Sequence, residues 1–165
     1  MIGAAALTSG CGLVGAGPAV PVISADPLEP LVTEKQALLD QYLAIIAAHS
    51  GLTNRLGPLR DAHRQHRDAL LELLDARRRA ALARAIPPVP GPASGDTPGT
   101  SVGDDAAGAL VVLRGAERAA AASTRAACLQ VTDPPAQGDV DGASERVVVL
   151  GSIAAAEASH QVALQ

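Results

Sequence analysis

Apolar residues return at alternating steps of three and four along four stretches of this 165-residue chain, and that spacing restricts it to helices packed side by side. The first stretch reads Leu31, Glu34, Leu38, Gln41, Ile45 and Ala48, and the second Leu56, Leu59, His63, His66, Leu70 and Leu73. The third gives Leu110, Leu113, Glu117, Ala120, Thr124 and Ala127, and the fourth Leu150, Ile153, Glu157, His160 and Leu164. Composition agrees: hydrophobic residues make up 48% of the chain, yet Tyr42 is its only aromatic, so Leu, Val, Ile and Ala must build the interior. Ala favours helices, whereas strands favour aromatic and β-branched residues. The expected fold class is all-α, a four-helix bundle, in one domain over residues 27–165.

Local signals bound the helices. Asp26-Pro27-Leu28-Glu29 places an N-cap before a Pro at the first helical position, and Ser50-Gly51 stops that helix after about Ala48. The second helix is expected from near Asn54 to about Ala85, where Ile86-Pro87-Pro88 ends it. Residues 87–104, rich in Pro, Gly, Ser and Thr, read as a flexible connection. Asp104 or Asp105 caps the third helix, which ends around Gln130, and the fourth runs from about Gly142.

Each predicted helix carries at least one Glu or His in its inward stripe. A buried carboxylate costs several kcal/mol unless it is compensated. The compensation available is mutual Glu–His pairing, buried water or a bound cation. Helical-hairpin geometry brings such residues to common heights: Glu34 and His66 have their midpoint at Ser50, and Glu117 and Glu157 have theirs at Gln137, both in predicted loops. His66 and Glu117 also lie equally far from the starts of their helices, which favours parallel second and third helices with residues 87–104 as a long crossover. That crossover reaches roughly 56 Å when extended, more than a helix of about 46 Å requires.

The N-terminal segment carries a separate signal. Leu7-Thr8-Ser9-Gly10-Cys11 resembles a bacterial lipobox, which implies export, lipidation at Cys11, and a tether over the remainder of residues 1–26. Thr8 stands where an aliphatic residue is usual, and no positive charge precedes it. Cys128 reads as a small hydrophobe in a helix. Gly10, Gly12 and Gly15 spell a dinucleotide-binding fingerprint, but no strand precedes them and no helical pattern follows. The net charge of −4, without a basic stripe, argues against a nucleic-acid partner. Arg77, Arg78 and Arg79 read as a solvated helix face able to touch anionic lipid.

The pattern resembles the ferritin-like superfamily, whose di-iron members carry Glu, Glu-x-x-His, Glu and Glu-x-x-His on successive helices. Glu34 matches the first helix, Glu117 the third, and Glu157-Ala158-Ser159-His160 the fourth, while on the second His66 matches and His63 replaces the Glu. The run Leu150 to His160, with the paired His63 and His66, is similar to an uncharacterised exported ferritin-like branch of actinobacterial type. The resemblance implies a metal site of Glu34, His63, His66, Glu117, Glu157 and His160. The exchange at His63 lowers its negative charge from four to three, which suits a single Fe, Mn or Zn ion or a weakened pair. The partners implied are a divalent metal ion, a membrane through Cys11, and further copies of the chain as a homo-oligomer. The rival expectation is a metal-free structural or interaction module of the cell envelope, in which the same side chains balance one another.

Overall fold

The structure, a computed structural model, describes residues 26–86, 105–131 and 140–165. Cys11, the tether, the 87–104 connection and the predicted loop around Pro134 lie outside the described residues. Among the described residues the chain is all-helical: α1 (Leu28–Ala48), a 3-10 turn (Ser50–Leu52), α2 (Thr53–Glu72), α3 (Ala76–Ala85), α4 (Ala106–Val131) and α5 (Val140–Ala163). No described helix is long and apolar enough to cross a membrane.

The caps follow the residues that signalled them. Asp26 Oδ1 accepts from the Leu28 amide at 3.0 Å, and Asp105 Oδ1 accepts from the Gly108 amide at 2.7 Å. At the other end of the chain, Arg55 donates to the Ala163 carbonyl at 2.9 Å and Arg114 to the Leu164 carbonyl at 2.6 Å. Both guanidinium groups thus answer carbonyls that α5 leaves without helical partners.

The single second helix expected to run to Ala85 is instead two. Asp75 adopts extended backbone (φ −64°, ψ 158°), and its carboxylate accepts from the Arg78 amide at 2.9 Å, which starts α3 as a new helix. The break turns Arg78 toward Glu29 in the first turn of α1 and lets Leu82 and Ile86 pack against the core. Arg77 and Arg79 are exposed as expected, but Arg78 is not part of that solvated face.

Helix α1 packs on α2 and α4, and α5 packs on α4 and α2. The interior consists of two apolar clusters. One gathers Leu28, Leu31 and Val32 of α1 with Leu70 and Leu74, Ala127, and Leu150 and Ile153. The other gathers Leu38, Tyr42 and Ile45 with Leu56, Ala109, Leu113 and Ala120, and Leu164. Moving from the first cluster to the second, residue numbers rise along α1 and α5 and fall along α2 and α4. Helices α2 and α4 therefore run parallel, as the matched offsets of His66 and Glu117 anticipated. Buried polar residues occupy the level between the clusters: Lys35, His63, Glu117, Thr124, Glu157 and His160.

The face that α1 turns inward differs from the expected stripe. Its buried positions are Leu28, Leu31, Val32, Lys35, Gln36, Leu38, Leu39, Tyr42 and Ile45, while Glu34 and Gln41 lie toward the side. This alternative stripe also steps by three and four and is apolar nearly throughout. Its centre is Lys35, a residue type almost never buried unless paired, which is why the sequence favours the neighbouring face.

Candidate metal centre

Four of the six predicted site residues meet in the middle layer without solvent exposure or nearly so: His63, Glu117 and Glu157 at 0% and His160 at 8%. His66, one turn after His63, joins them half-buried, its ring 5.5 Å from that of His63 and 6.0 Å from that of His160. Glu34 does not join them. Its side chain keeps 37% of its accessible surface and accepts from Ser123 Oγ at 2.6 and 2.7 Å. Its expected place is taken by Lys35, whose fully buried ammonium lies 2.7 Å from Glu157 Oε1 and 3.3 Å from Glu34 Oε1. Lys35 also donates to Thr124 Oγ1 at 2.9 Å, and Thr124 in turn donates to Glu157 Oε2 at 3.0 Å.

Glu117 forms the second half of the layer. Its Oε1 receives the Tyr42 hydroxyl at 2.5 Å and His63 Nε2 at 2.6 Å, and His160 Nδ1 approaches to 3.4 Å. Burial pushes this carboxyl up, but the His160 and His63 nitrogens and the Tyr42 hydroxyl outweigh it and hold the group down to about 2. Burial, reinforced by the Glu117 charge, pushes the Tyr42 phenol well above its ordinary range, so it stays a donor. Glu157 moves the other way from Glu117: burial raises it, and Lys35 offsets only part of that rise. Burial, with His63, His160 and Lys35 nearby, lowers His66 to about 4, so its imidazole is uncharged at neutral pH.

The tautomer of His63 follows from its partner. A carboxylate held ionised can only accept, so Nε2 carries the proton that Glu117 Oε1 receives. The other ring nitrogen, Nδ1, faces Glu157 Oε1, 4.0 Å away. His63 Nδ1, His66 Nδ1 and Glu157 Oε1 are all buried and take part in no hydrogen bond among the described residues. Glu157 Oε1 is balanced by the charge of Lys35, at 2.7 Å, but without hydrogen-bond alignment. Buried polar atoms without a hydrogen-bond partner are costly, and a bound cation is one way to satisfy them together.

Two sets of donors are close enough to hold such a cation: His63, His66 and Glu157, and His63, Glu117 and His160, each offering ligand atoms within 4.8 Å of one another. Both contain buried atoms without a hydrogen-bond partner, Glu117 Oε2 and His160 Nδ1 in the second set, but the first is less engaged by other contacts. In the second, the His63–Glu117 contact is already closed by a proton and Glu117 is further engaged by Tyr42. Metal-ligating histidines commonly donate their other ring N–H to a carboxylate, and the His63–Glu117 contact supplies that arrangement.

The composition of the layer was partly legible. The three-and-four spacing identified His63, His66, Glu117, Glu157 and His160, and it placed Thr124 in the seam without a role. Lys35 and the Tyr42 contact to Glu117 were missed. The signal for Lys35 was available, since it interrupts an otherwise apolar stripe. Cys128, half-buried and free, contacts the Val147 carbonyl through Sγ at 3.7 Å and stands apart from the layer. Comparison with known proteins gave no match to a family model, to a curated protein or to a solved structure.

Proposed function

We propose that this chain is a ferritin-like metal-binding domain, exported and anchored through Cys11, that holds one divalent transition-metal ion on His63, His66 and Glu157. The observation that carries the reading is the convergence, on one side of His63, of buried donor atoms without hydrogen-bond partners, His63 Nδ1, His66 Nδ1 and Glu157 Oε1, while the other side of the ring is engaged by Glu117. Two imidazoles and a carboxylate suit Zn, Fe(II) or Mn, and the uncharged state of His66 at neutral pH readies it as a ligand. Such an ion would supply a Lewis acid or a redox centre in a dry site. Charge favours one ion over two: Glu117 and Glu157 carry two negative charges and Lys35 returns one positive, so a second dication would leave the interior strongly positive. The parallel pairs α1 with α5 and α2 with α4, each helix contributing to the middle layer, support the ferritin-like assignment.

One observation favours a metal-free reading, in which the domain is a structural or interaction module of the envelope. Lys35 already brings a cation to Glu157 at 2.7 Å. Thermal melting of the chelator-treated protein with added Zn(II), Mn(II) or Fe(II) separates the two. A specific ion stabilises the folded state by mass action, about 2.7 kcal/mol at a hundredfold excess over Kd. Our reading expects that rise in the wild type and its loss in Glu157→Gln and His66→Ala. Equal melting temperatures with and without each metal would favour the metal-free module.

A further inference from the structure

Lys35 and the proposed metal ion claim the same oxygen. The ammonium lies 2.7 Å from Glu157 Oε1, and that atom belongs to the carboxylate that completes the set with His63 and His66. A dication and an ammonium cannot share one carboxylate oxygen in a dry interior without strong mutual repulsion, which at separations of a few ångströms outweighs most single interactions in a protein. The ammonium must therefore move when the ion arrives. A second carboxylate stands ready on the same helix: Glu34 Oε1 is 3.3 Å from Lys35 Nζ, at the side of the bundle. Glu34 is half-exposed and is oriented by Ser123 Oγ, which donates to it. Thr124 Oγ1, at 2.9 Å from the ammonium and 3.0 Å from Glu157 Oε2, links the two positions. The lysine stem has four rotatable methylenes, and a shift of its head between neighbouring carboxylates needs no movement of the backbone.

We propose that Lys35 is a built-in counter-cation that occupies Glu157 in the metal-free protein and passes to Glu34 when a divalent ion binds, so that the Lys35–Glu34 pair sets the affinity of the site. The inference rests on the metal-binding reading above for its functional consequence, and it assigns Glu34 a positioning role in place of the ligand role its spacing suggested. It also accounts for a half-exposed carboxylate lying beside a wholly buried ammonium. In the metal-free protein Glu157 is neutralised by Lys35. In the metal-bound protein the ion neutralises Glu157, and Glu34 neutralises Lys35, so each buried charge keeps a partner in both states.

The test is a titration of the chelator-treated full chain with Zn(II) and, in parallel, Co(II), whose absorption reports ligation by imidazole. Lys35→Met removes the competing charge and should tighten binding roughly tenfold or more, the size expected from removing a like charge a few ångströms from a dication. Glu34→Gln removes the receiving carboxylate and should weaken binding while leaving one ion per chain. In the double variant the Glu34 effect should vanish, because no ammonium then needs a new partner. Lys35→Arg, which keeps the charge, should stay near the wild type or bind more weakly.

Unchanged or weaker binding in Lys35→Met, or a Glu34 effect that persists without Lys35, would overturn the inference. A wild type that binds no ion beside a Lys35→Met variant that does would overturn the handover, leaving Lys35 as a fixed counter-cation that excludes metal from the natural chain. No binding by either chain would remove both readings. If Lys35→Met folds only when metal is added, the ion has replaced the ammonium and the inference stands. If it folds under neither condition, Glu34→Gln decides: weakened binding upholds the handover and unchanged binding overturns it.

Discussion

The Tyr42 hydroxyl donates to Glu117 Oε1 at 2.5 Å, on the oxygen that also receives the His63 ring proton at 2.6 Å. Two donors on one buried oxygen keep Glu117 ionised, and Glu117 in turn fixes which nitrogen of His63 is free. Tyr42→Phe keeps the ring packing and deletes one donor, so it should cost about 1.5–3 kcal/mol of stability, the range for a hydrogen bond to a charged group. Urea unfolding of the chelator-treated protein measures it. A loss well below that range would mean that His63 alone satisfies the carboxylate.

In the proposed site Glu117 orients the ligand His63 and does not itself bind the ion. Glu117→Gln should therefore weaken metal binding by roughly 10–100-fold, as removal of such supporting carboxylates does, while one ion per chain still binds at saturation. Titration with Co(II) gives both quantities. Complete loss of binding would instead place Glu117 among the ligands.

The stability of the metal-free protein should fall as pH drops from about 6.5 toward 4, because burial holds His66 near 4, below its ordinary value of 6.5, and the unfolded chain takes up the proton first. The raised carboxyl of Glu157 acts in the opposite sense, so the His66 contribution is isolated by comparing the wild type with His66→Gln. Between pH 7 and pH 5 the wild type should lose on the order of 1 kcal/mol more than the variant, allowing for partial exposure of the ring. Parallel stability profiles would show that His66 is not held uncharged by its surroundings.

Asp26 couples the start of α1 to α5. Its carboxylate caps the Leu28 amide at 3.0 Å and receives Arg146 through both oxygens, at 3.2 and 2.9 Å. Asp26→Ala should cost roughly 2 kcal/mol, the sum of a lost cap and a part-buried bidentate pair. Asp26→Asn retains an acceptor for the cap and should recover about half of that loss, read as the midpoint of urea unfolding. Equal losses in the two variants would assign the whole effect to the ion pair.

Helical class, the pairing heights and most of the buried polar layer were legible because they depend on the period of the α-helix alone. Glu117, Glu157, His63 and His160 fall where steps of three and four put them. The face of α1 was not legible in the same way. Two stripes one residue apart both satisfy the period, and the choice between Glu34 and Lys35 depends on whether a partner for a buried ammonium exists on α5, a long-range fact that spacing along α1 does not contain. The break at Leu73–Asp75 escaped for a related reason: Asp75 is tolerable in a helix interior and becomes a cap because Arg78 finds Glu29 on α1. The cation that the carboxylates demanded was expected from outside, yet one is supplied by the chain itself.

The proposed centre holds one divalent ion on His63 Nδ1, His66 and Glu157. It is tested most directly by the metal content of the full chain after equilibration with Zn(II) and removal of free ion, compared with His63→Ala, which deletes the residue common to both donor sets. One zinc per wild-type chain and none in the variant are expected. Substoichiometric zinc in the wild type, or the same content in both proteins, would contradict the proposed centre.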